Sequence, residues 1–170
     1  LDRLKAAFPA LQVTRDNRAA DKGADMVILA VKPWLIEQVV KELGIEADTL
    51  VVSVAAGISC GQLAGYTGNL GQPVFRLIPN TAISEMQSMT LITGNNTTDE
   101  QRKLMLDIFC EMGMALWLPE EKMAAATAMT SCGIAYALKY IQAAMQAGIE
   151  LGIYPKDGMR MVAQSLKGAA

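Results

Sequence analysis

The fold of this chain is decided by the stretch Met26-Val27-Ile28-Leu29-Ala30-Val31-Lys32-Pro33. Residues 26–31 are apolar without a break, and such runs are typical of strands buried on both faces of a parallel sheet. Lys32 and Pro33 end the run. An amphipathic helical stripe follows and is closed by Gly44; it consists of Leu35, Ile36, Val39, Val40 and Leu43. The pattern predicts a strand, a tight turn and a helix.

The same unit is repeated further along the chain. Leu50 to Val54 form a second apolar run, Ala55-Ala56-Gly57 a turn, and Ser59 begins a helix in which Gln62 is placed to complete a capping box. A third run, Val74 to Ile78, ends at Pro79-Asn80-Thr81. Successive strand-helix units connect parallel strands by right-handed crossovers. The sequence therefore predicts an α/β fold with a doubly wound parallel sheet.

The later part of the chain changes character. Short strands are predicted at 90–93 and 115–118, with a helix over 99–112 that Thr98 and Gln101 cap. From Met123 the pattern is helical and apolar nearly all round, and Lys139 is the only charged residue between Lys122 and Glu150. Such a helix is buried or spans a membrane, and its polar residues make membrane insertion costly. We expect it to pack against a second copy of the chain. Tyr154-Pro155 then opens a further helix.

Composition excludes several classes of function. The 170 residues carry 15 basic and 17 acidic side chains, and 52% are hydrophobic, so neither disorder nor nucleic-acid binding is favoured. There is no histidine, which excludes Ser-His-Asp triads and most catalytic zinc sites within the chain; no metal is expected. Cys60, Cys110 and Cys132 lack CxxC spacing and are expected to be reduced thiols of a cytoplasmic protein.

Three of the predicted strands end in loops that suit a ligand. In parallel sheets, ligands bind beyond the carboxyl ends of the strands, and adjacent strands would place residues 30–33, 55–58 and 79–81 along one crevice. Small side chains at 55–57 would let a flat ring lie against the backbone, and Lys32 favours anionic groups. Each loop also has a purely structural explanation. Pro33 can begin a helix, Gly57 can form a turn, and the Asn80 side chain can cap backbone groups.

Taken together, these segments resemble the pyrroline-5-carboxylate reductases of proline biosynthesis. The resemblance covers essentially the whole chain and rests on four motifs: Ile28 to Pro33, Val52 to Ile58, Arg76 to Thr81, and Thr130-Ser131-Cys132-Gly133-Ile134-Ala135-Tyr136. It implies a partial Rossmann-type dinucleotide-binding domain over 1–119, followed by the start of an all-helical dimerisation domain over 120–170. It also implies an oxidoreductase that transfers a hydride from NADPH or NADH to the imine carbon of 1-pyrroline-5-carboxylate, giving L-proline.

The resemblance also implies roles for individual residues. Those expected to bind the cofactor are Asn17 on the adenosine side, Ala30, Val31, Lys32 and Pro33 along the ribose and nicotinamide, and Ala55, Ala56 and Gly57 against the nicotinamide ring. Those expected near the substrate are Asn80, Thr81 and Glu120. Glu120 can equally be an ordinary first-turn acid of the long helix.

The chain departs from the family pattern in several places. It contains no GxGxxG phosphate loop, it begins at Leu1, and its last residues stop inside a helical pattern, so we expect a fragment. The main catalytic candidate is expected beyond Ala170. Two alternatives stay open: another Rossmann reductase with a helical dimer domain, acting on a hydroxyacid or on F420, and a non-catalytic dimeric nucleotide-binding scaffold.

Overall fold

The computed structural model describes residues 1–170, and its central feature is a five-stranded sheet in the order β1-β2-β3-β4-β5. The strands are β1 (Met26–Leu29), β2 (Leu50–Ser53), β3 (Val74–Ile78), β4 (Ser88–Asn95) and β5 (Gly113–Trp117). The helices are α1 (Asp2–Ala7), α2 (Asn17–Asp21), α3 (Ile36–Glu42), α4 (Cys60–Thr67), α5 (Asp99–Cys110), α6 (Met123–Glu150) and α7 (Pro155–Ala169). Short 3-10 turns at Pro33–Leu35, Thr81–Glu85 and Glu120–Lys122 complete the chain.

The first three strands are parallel, and helices cover both faces of the sheet, so the predicted α/β fold class is confirmed. The sheet is not parallel throughout, because β4 runs antiparallel to β3 and β5 runs parallel to β4. Only residues 79–87 connect β3 to β4. A parallel crossover needs about a dozen residues or more, whereas a shorter connection returns the chain antiparallel.

Each face of the sheet has its own hydrophobic core. On one face α3 and α4 pack on the sheet around Ile36, Leu63 and Val74, and on the other α5 packs through Met105 and Phe109. Along β3 the faces alternate, because successive side chains of a strand point in opposite directions. Val74 therefore belongs to the core on the α4 side and Phe75 to the core on the α5 side. There the Phe75 and Trp117 rings pack edge to face, with their centroids 6.3 Å apart.

Local sequence signals account for most helix starts. Both predicted capping boxes are present, Ser59 with Gln62 at α4 and Thr98 with Gln101 at α5.

The first two strands are shorter than the strands that the apolar runs predict, because pairing between β1 and β2 stops at Leu29 and Ser53. Residues 30–31 and 54 therefore belong to the loops that follow.

One edge of the sheet is formed by β1, which pairs only with β2. The strand is apolar over its length, and on this edge the Ile28 side chain is half exposed (51%). The outer N–H and C=O groups of β1 have no neighbouring strand within this chain.

By internal contacts the chain divides into two units, Leu1–Ala124 and Ala125–Ala170. The second unit contains most of α6, which has 28 residues, and α7. The turn between the two helices uses a positive φ of 90° at Gly152, and the Ile153 N–H donates to the Gly148 carbonyl at 2.9 Å. None of the helices has the combination of length and hydropathy that a membrane span requires.

Large apolar side chains on α6 are exposed. Met129, Tyr136 and Tyr140 lie on one stripe of the helix, because they are spaced by seven and four residues, and they are 79%, 71% and 58% exposed. Leu138, also exposed, lies on the opposite side. Within α6 only Met123 is buried. The helix therefore shows the nearly uniform apolar surface that its sequence predicts.

Candidate functional site

The candidate site lies at the carboxyl ends of β1, β2 and β3. These strands are adjacent and parallel, with Leu29 opposite Ser53 and Ser53 opposite Arg76. The segments that follow them, residues 30–33, 54–59 and 79–81, therefore leave the same edge of the sheet side by side. This is the arrangement that the sequence predicts for its three ligand-binding loops, and it is where α/β sheets bind ligands.

Beside β1 the surface forms a cleft with a volume of about 250 Å³. Its lining brings Asn17, from the first turn of α2, together with Ala30 and Val31 from the loop after β1; the rest of the lining is the unpaired edge of β1 and residues of α2, of α3 and of the α3 C-cap. Asp16 sets the start of α2, because its carboxylate accepts the Arg18 N–H at 3.0 Å. Residues 17, 30 and 31, which lie far apart in the sequence, thus face one cavity.

The loop after β1 turns directly into a helix. Pro33 begins a 3-10 turn, and the Leu35 N–H donates to the Lys32 carbonyl at 2.9 Å. Ala30 and Lys32 are not buried, and Trp34 is 76% exposed. The Lys32 ammonium makes no hydrogen bond or ion pair within this chain, so its charge is available to an anion.

The loop after β2 is held at its start by a buried serine. The Ser53 Oγ accepts the Ala55 N–H at 3.2 Å, and the Ala55 side chain is buried in the core beneath. Ala56 and Gly57 are exposed. Gly57 has a φ of +82°, a conformation that favours glycine, and a Cβ built there would meet nothing within 4 Å. The loop is thus fixed at its start and leaves open space at Gly57, which would allow a flat ring to lie against it.

The loop after β3 is organised by Asn80. Its Oδ1 accepts the Ala82 N–H at 3.1 Å, and its backbone N–H donates to the Ser88 Oγ at 3.3 Å. The amide oxygen of Asn80 thus caps the 3-10 turn, which leaves its amide nitrogen for a ligand. Thr81 begins the turn and is exposed.

Glu120, the first residue of the 3-10 turn that follows β5, is held by two hydrogen bonds. Its Oε1 accepts a hydrogen bond from Arg76 Nη1 at 2.6 Å and another from the Cys60 N–H at 2.8 Å. Partial burial opposes ionisation of Glu120, but the Cys60 and Arg76 hydrogen bonds and the Arg76 charge outweigh it, so the pKa of the carboxyl is lowered. Glu120 is therefore a carboxylate at neutral pH, placed at the N-terminus of α4.

The Cys60 thiol shares this environment. Burial first, and then the negative charge of Glu120, raise the pKa of Cys60 from 9.0 to about 12. The thiol is therefore protonated at neutral pH and is a poor nucleophile. Cys60 contributes a backbone donor to the site rather than a reactive sulfur.

Sequence reasoning missed Arg76, Ser53 and Cys60 as parts of this arrangement. A signal for one of them is present, because Arg76 interrupts the apolar run Val74-Phe75-Arg76-Leu77-Ile78, and an arginine within an apolar strand requires a partner. Its partner, Glu120, is 44 residues away, so no local pattern connects them. No group of three or more His, Cys, Asp or Glu side chains is placed to hold a metal ion.

Comparisons with known protein families match both parts of the chain. Residues 1–57 match the family described as NADP oxidoreductase, coenzyme F420-dependent, and residues 120–170 match the family described as pyrroline-5-carboxylate reductase dimerisation. The pyrroline-5-carboxylate reductase of Methanosarcina acetivorans is 33% identical over 165 residues; the alignment covers 94% of this chain and 60% of that protein.

Solved structures give the same result. The pyrroline-5-carboxylate reductase of Coxiella burnetii superposes with a TM-score of 0.89 at 28% identity, over 99% of this chain and 65% of that one. The Plasmodium falciparum enzyme, solved with NADP bound, superposes with a TM-score of 0.87 at 25% identity, over 93% of this chain and 61% of that one. This chain thus spans less than two thirds of the length of each of these relatives.

Proposed function

We propose that this chain, a relative of the pyrroline-5-carboxylate reductases over nearly its whole length, carries part of an enzyme of that activity. The reaction is the transfer of a hydride from NADPH or NADH to the imine carbon of 1-pyrroline-5-carboxylate, with a proton retained on nitrogen, to give L-proline. The first unit is the dinucleotide-binding part, and the second unit belongs to the dimerisation part.

The observation that carries this proposal is the convergence of three loops at one edge of the sheet. Residues 30–33, 55–57 and 80–81 follow adjacent parallel strands. Beside the first of these loops lies the cleft that Asn17 also lines. These loops are the segments in which the sequence resembles the family, so resemblance and geometry point to the same place.

The residues present fit a dinucleotide. The exposed Ala56 and the open space around Gly57 leave room for a planar ring, Lys32 offers an unpaired cation, and Asn17 lines the cleft beside Ala30 and Val31. We therefore assign Asn17 to the adenosine side, residues 30–33 to the ribose and nicotinamide region, and residues 55–57 to the ring. When bound, the reduced nicotinamide supplies the hydride.

The remaining task of the protein is to position the substrate. A protonated imine is already an electrophile, so no histidine acid is needed, and orientation of the reactants accounts for much of the rate. We assign Asn80 and Thr81 to polar contacts with the substrate, since the Asn80 amide nitrogen and the exposed Thr81 hydroxyl lie at the same edge as residues 55–57.

The helical unit would pair with a second copy of the chain. Its exposed apolar stripe on α6 and its match to the dimerisation family support this assignment. The three free cysteines suit a reducing compartment, and we propose the cytoplasm. The F420-dependent family matches residues 1–57 alone, so it supports dinucleotide binding without choosing F420 as the substrate.

The test is the formation of L-proline from 1-pyrroline-5-carboxylate by the purified protein in its full natural length, with NADPH and NADH in separate assays. We expect turnover that requires a reduced nicotinamide, and L-proline as the product. If the protein binds either cofactor but forms no proline, a non-catalytic dimeric scaffold is favoured instead. Turnover only with reduced F420 and an NADP acceptor would favour the alternative reductase.

A further inference from the structure

We propose that Glu120, held in place by Arg76, is a positioning residue that fixes the ring-binding loop at residues 55–59. The inference rests on the proposed function, because the loop matters only if it holds the nicotinamide. The resemblance implies that Glu120 lies near the substrate. In this proposal Glu120 supports the loop instead of contacting the substrate.

The loop is anchored at both ends, and Glu120 provides one of the anchors. At its start, the buried Ser53 Oγ accepts the Ala55 N–H at 3.2 Å. At its end, Glu120 Oε1 accepts the Cys60 N–H at 2.8 Å, while Ser59 and Gln62 form the capping box. Between these anchors lie the exposed Ala56 and Gly57. Loss of the Glu120 contact would free one end of a short loop.

The first turn of α4 has no acidic residue of its own. A helix N-terminus carries unpaired N–H groups and a partial positive charge, which an acidic side chain satisfies. Glu120 brings that negative charge from a distant part of the chain. Glu120 therefore contacts α4 in two ways: its carboxylate accepts the Cys60 N–H, and its negative charge lies at the positive end of the helix.

Arg76 determines where the carboxylate of Glu120 sits. Arg76 lies on β3 opposite Ser53, its side chain is only 13% exposed, and it reaches Glu120 at 2.6 Å. Because an arginine that is mostly shielded from solvent is costly without its partner, the pair favours a single arrangement. The loop is therefore connected to β2 through Ser53, and to β3 through Glu120 and Arg76.

The experiment compares Glu120→Gln with Glu121→Gln, a matched control at the adjacent exposed acid, which forms no ion pair within this chain. The measurements are kcat, KM for the substrate, the Kd of the dinucleotide, and hydrogen exchange of the amides of residues 55–60. A displacement of about 1 Å can lower a rate about 100-fold, so we expect Glu120→Gln to lower kcat at least ~10-fold. The dinucleotide Kd should change less than ~3-fold, because the adenosine contacts are untouched.

The same variant should raise amide exchange at Cys60 and in the loop, whereas Glu121→Gln should change neither kcat nor exchange. A second pair of variants tests Arg76. Arg76→Lys keeps a cationic donor and should retain more of kcat than Arg76→Met, which leaves Glu120 without its ion-pair partner.

Three results would overturn the proposal. One is unchanged exchange at residues 55–60 in Glu120→Gln. Another is a raised substrate KM with kcat unchanged, which would make Glu120 a direct substrate contact. The third is a lowered Tm with both kinetic constants intact. Hydrogen exchange decides the role of Glu120 even if the wild-type protein forms no proline, so failure of the proposed function can be told apart from failure of this inference.

Discussion

Ala55 and Ala56 are neighbours of identical chemistry with opposite surroundings. Ala55 is 5% exposed and packs in the core, whereas Ala56 faces solvent beside Gly57, where there is open space. The methyl group of Ala56 is thus the side chain of this loop that a bound ring would meet. Ala55 contributes its backbone, which Ser53 holds.

Replacement of Ala56 by leucine should weaken dinucleotide binding. The added carbons would occupy the space left for the ring, and overpacking typically costs about 1–3 kcal/mol, where each 1.4 kcal/mol is a tenfold change in Kd. We therefore expect a Kd for NADPH or NADH raised about ten-fold or more, measured by titration calorimetry. Ala47→Leu, at an exposed loop position away from the site, is the matched control. If Ala56→Leu binds the dinucleotide as tightly as Ala47→Leu does, the nicotinamide ring does not lie against Ala56.

At the residue scale, sequence predicts the loops better than the contacts that hold them. The sequence predicts the three loops after β1, β2 and β3 because small and turn-forming residues follow apolar runs there. These loops are residues 30–33, 55–57 and 80–81. The Arg76–Glu120 pair is not predicted, because it depends on how β3 and the 3-10 turn after β5 are placed in space. Only the charge of Arg76 within an apolar strand hints that a partner exists.

Among the elements, the pairing of β4 with β5 depends on a close approach at Gly113. Gly113 has a φ of +134°, and a Cβ built there would overlap the backbone oxygen and nitrogen of Ser88 on β4. The Ser88 N–H also donates to the Met112 carbonyl at 3.0 Å. Glycine is thus required here for both its conformation and its small size.

A pair of glycine substitutions separates this requirement from a general effect of alanine. Gly113→Ala should lower the free energy of unfolding by about 2 kcal/mol or more, because the new methyl group forces β5 away from β4. Gly65→Ala, in α4 with nothing within 4 Å of the added Cβ, should raise it by about 0.5–1 kcal/mol, since alanine suits a helix better than glycine. Urea unfolding of both variants is the measurement. A Gly113→Ala variant as stable as the wild type would contradict the close contact between Gly113 and Ser88.

Elements are predictable where their signals are local. The capping boxes at Ser59 and Thr98 each depend on two residues three positions apart. The span Val74–Ile78 is bounded by Pro73 and Pro79, and its prediction is confirmed. The reversal of direction at β4 is not predicted, because it follows from the length of a connection and from pairing with β3, and neither is visible in a window of a few residues.

For the whole molecule, the most consequential surface is the apolar stripe of α6. Met129, Tyr136 and Tyr140 are exposed on one side of a long helix, and apolar patches of this kind typically mark interfaces between proteins. Sequence alone predicts a second copy of the chain as the partner, from the scarcity of charge between residues 122 and 150. The family match over 120–170 supports the same assignment.

Two charges placed on this stripe should prevent self-association. We expect wild-type protein to sediment as a homodimer or a larger assembly, and the Tyr136→Glu, Tyr140→Glu double variant to shift towards the monomer, because burying two unpaired carboxylates is costly. Lys139→Gln, a polar change between the two tyrosines, should leave the assembly unchanged. Analytical ultracentrifugation checks all three. A double variant that still associates as the wild type does would exclude the stripe as the contact.

The outer edge of β1 is able to accept a further strand. Within this chain the outer backbone groups of β1 pair with no strand, so a further strand of the same protein or of another molecule can add there, and the neighbouring Ile28 offers no charge to repel it. Wherever this edge is left uncovered, molecules can join sheet to sheet, and the resulting fibrils or precipitates would grow with protein concentration. Covering that edge is therefore a matter of solubility as well as of fold.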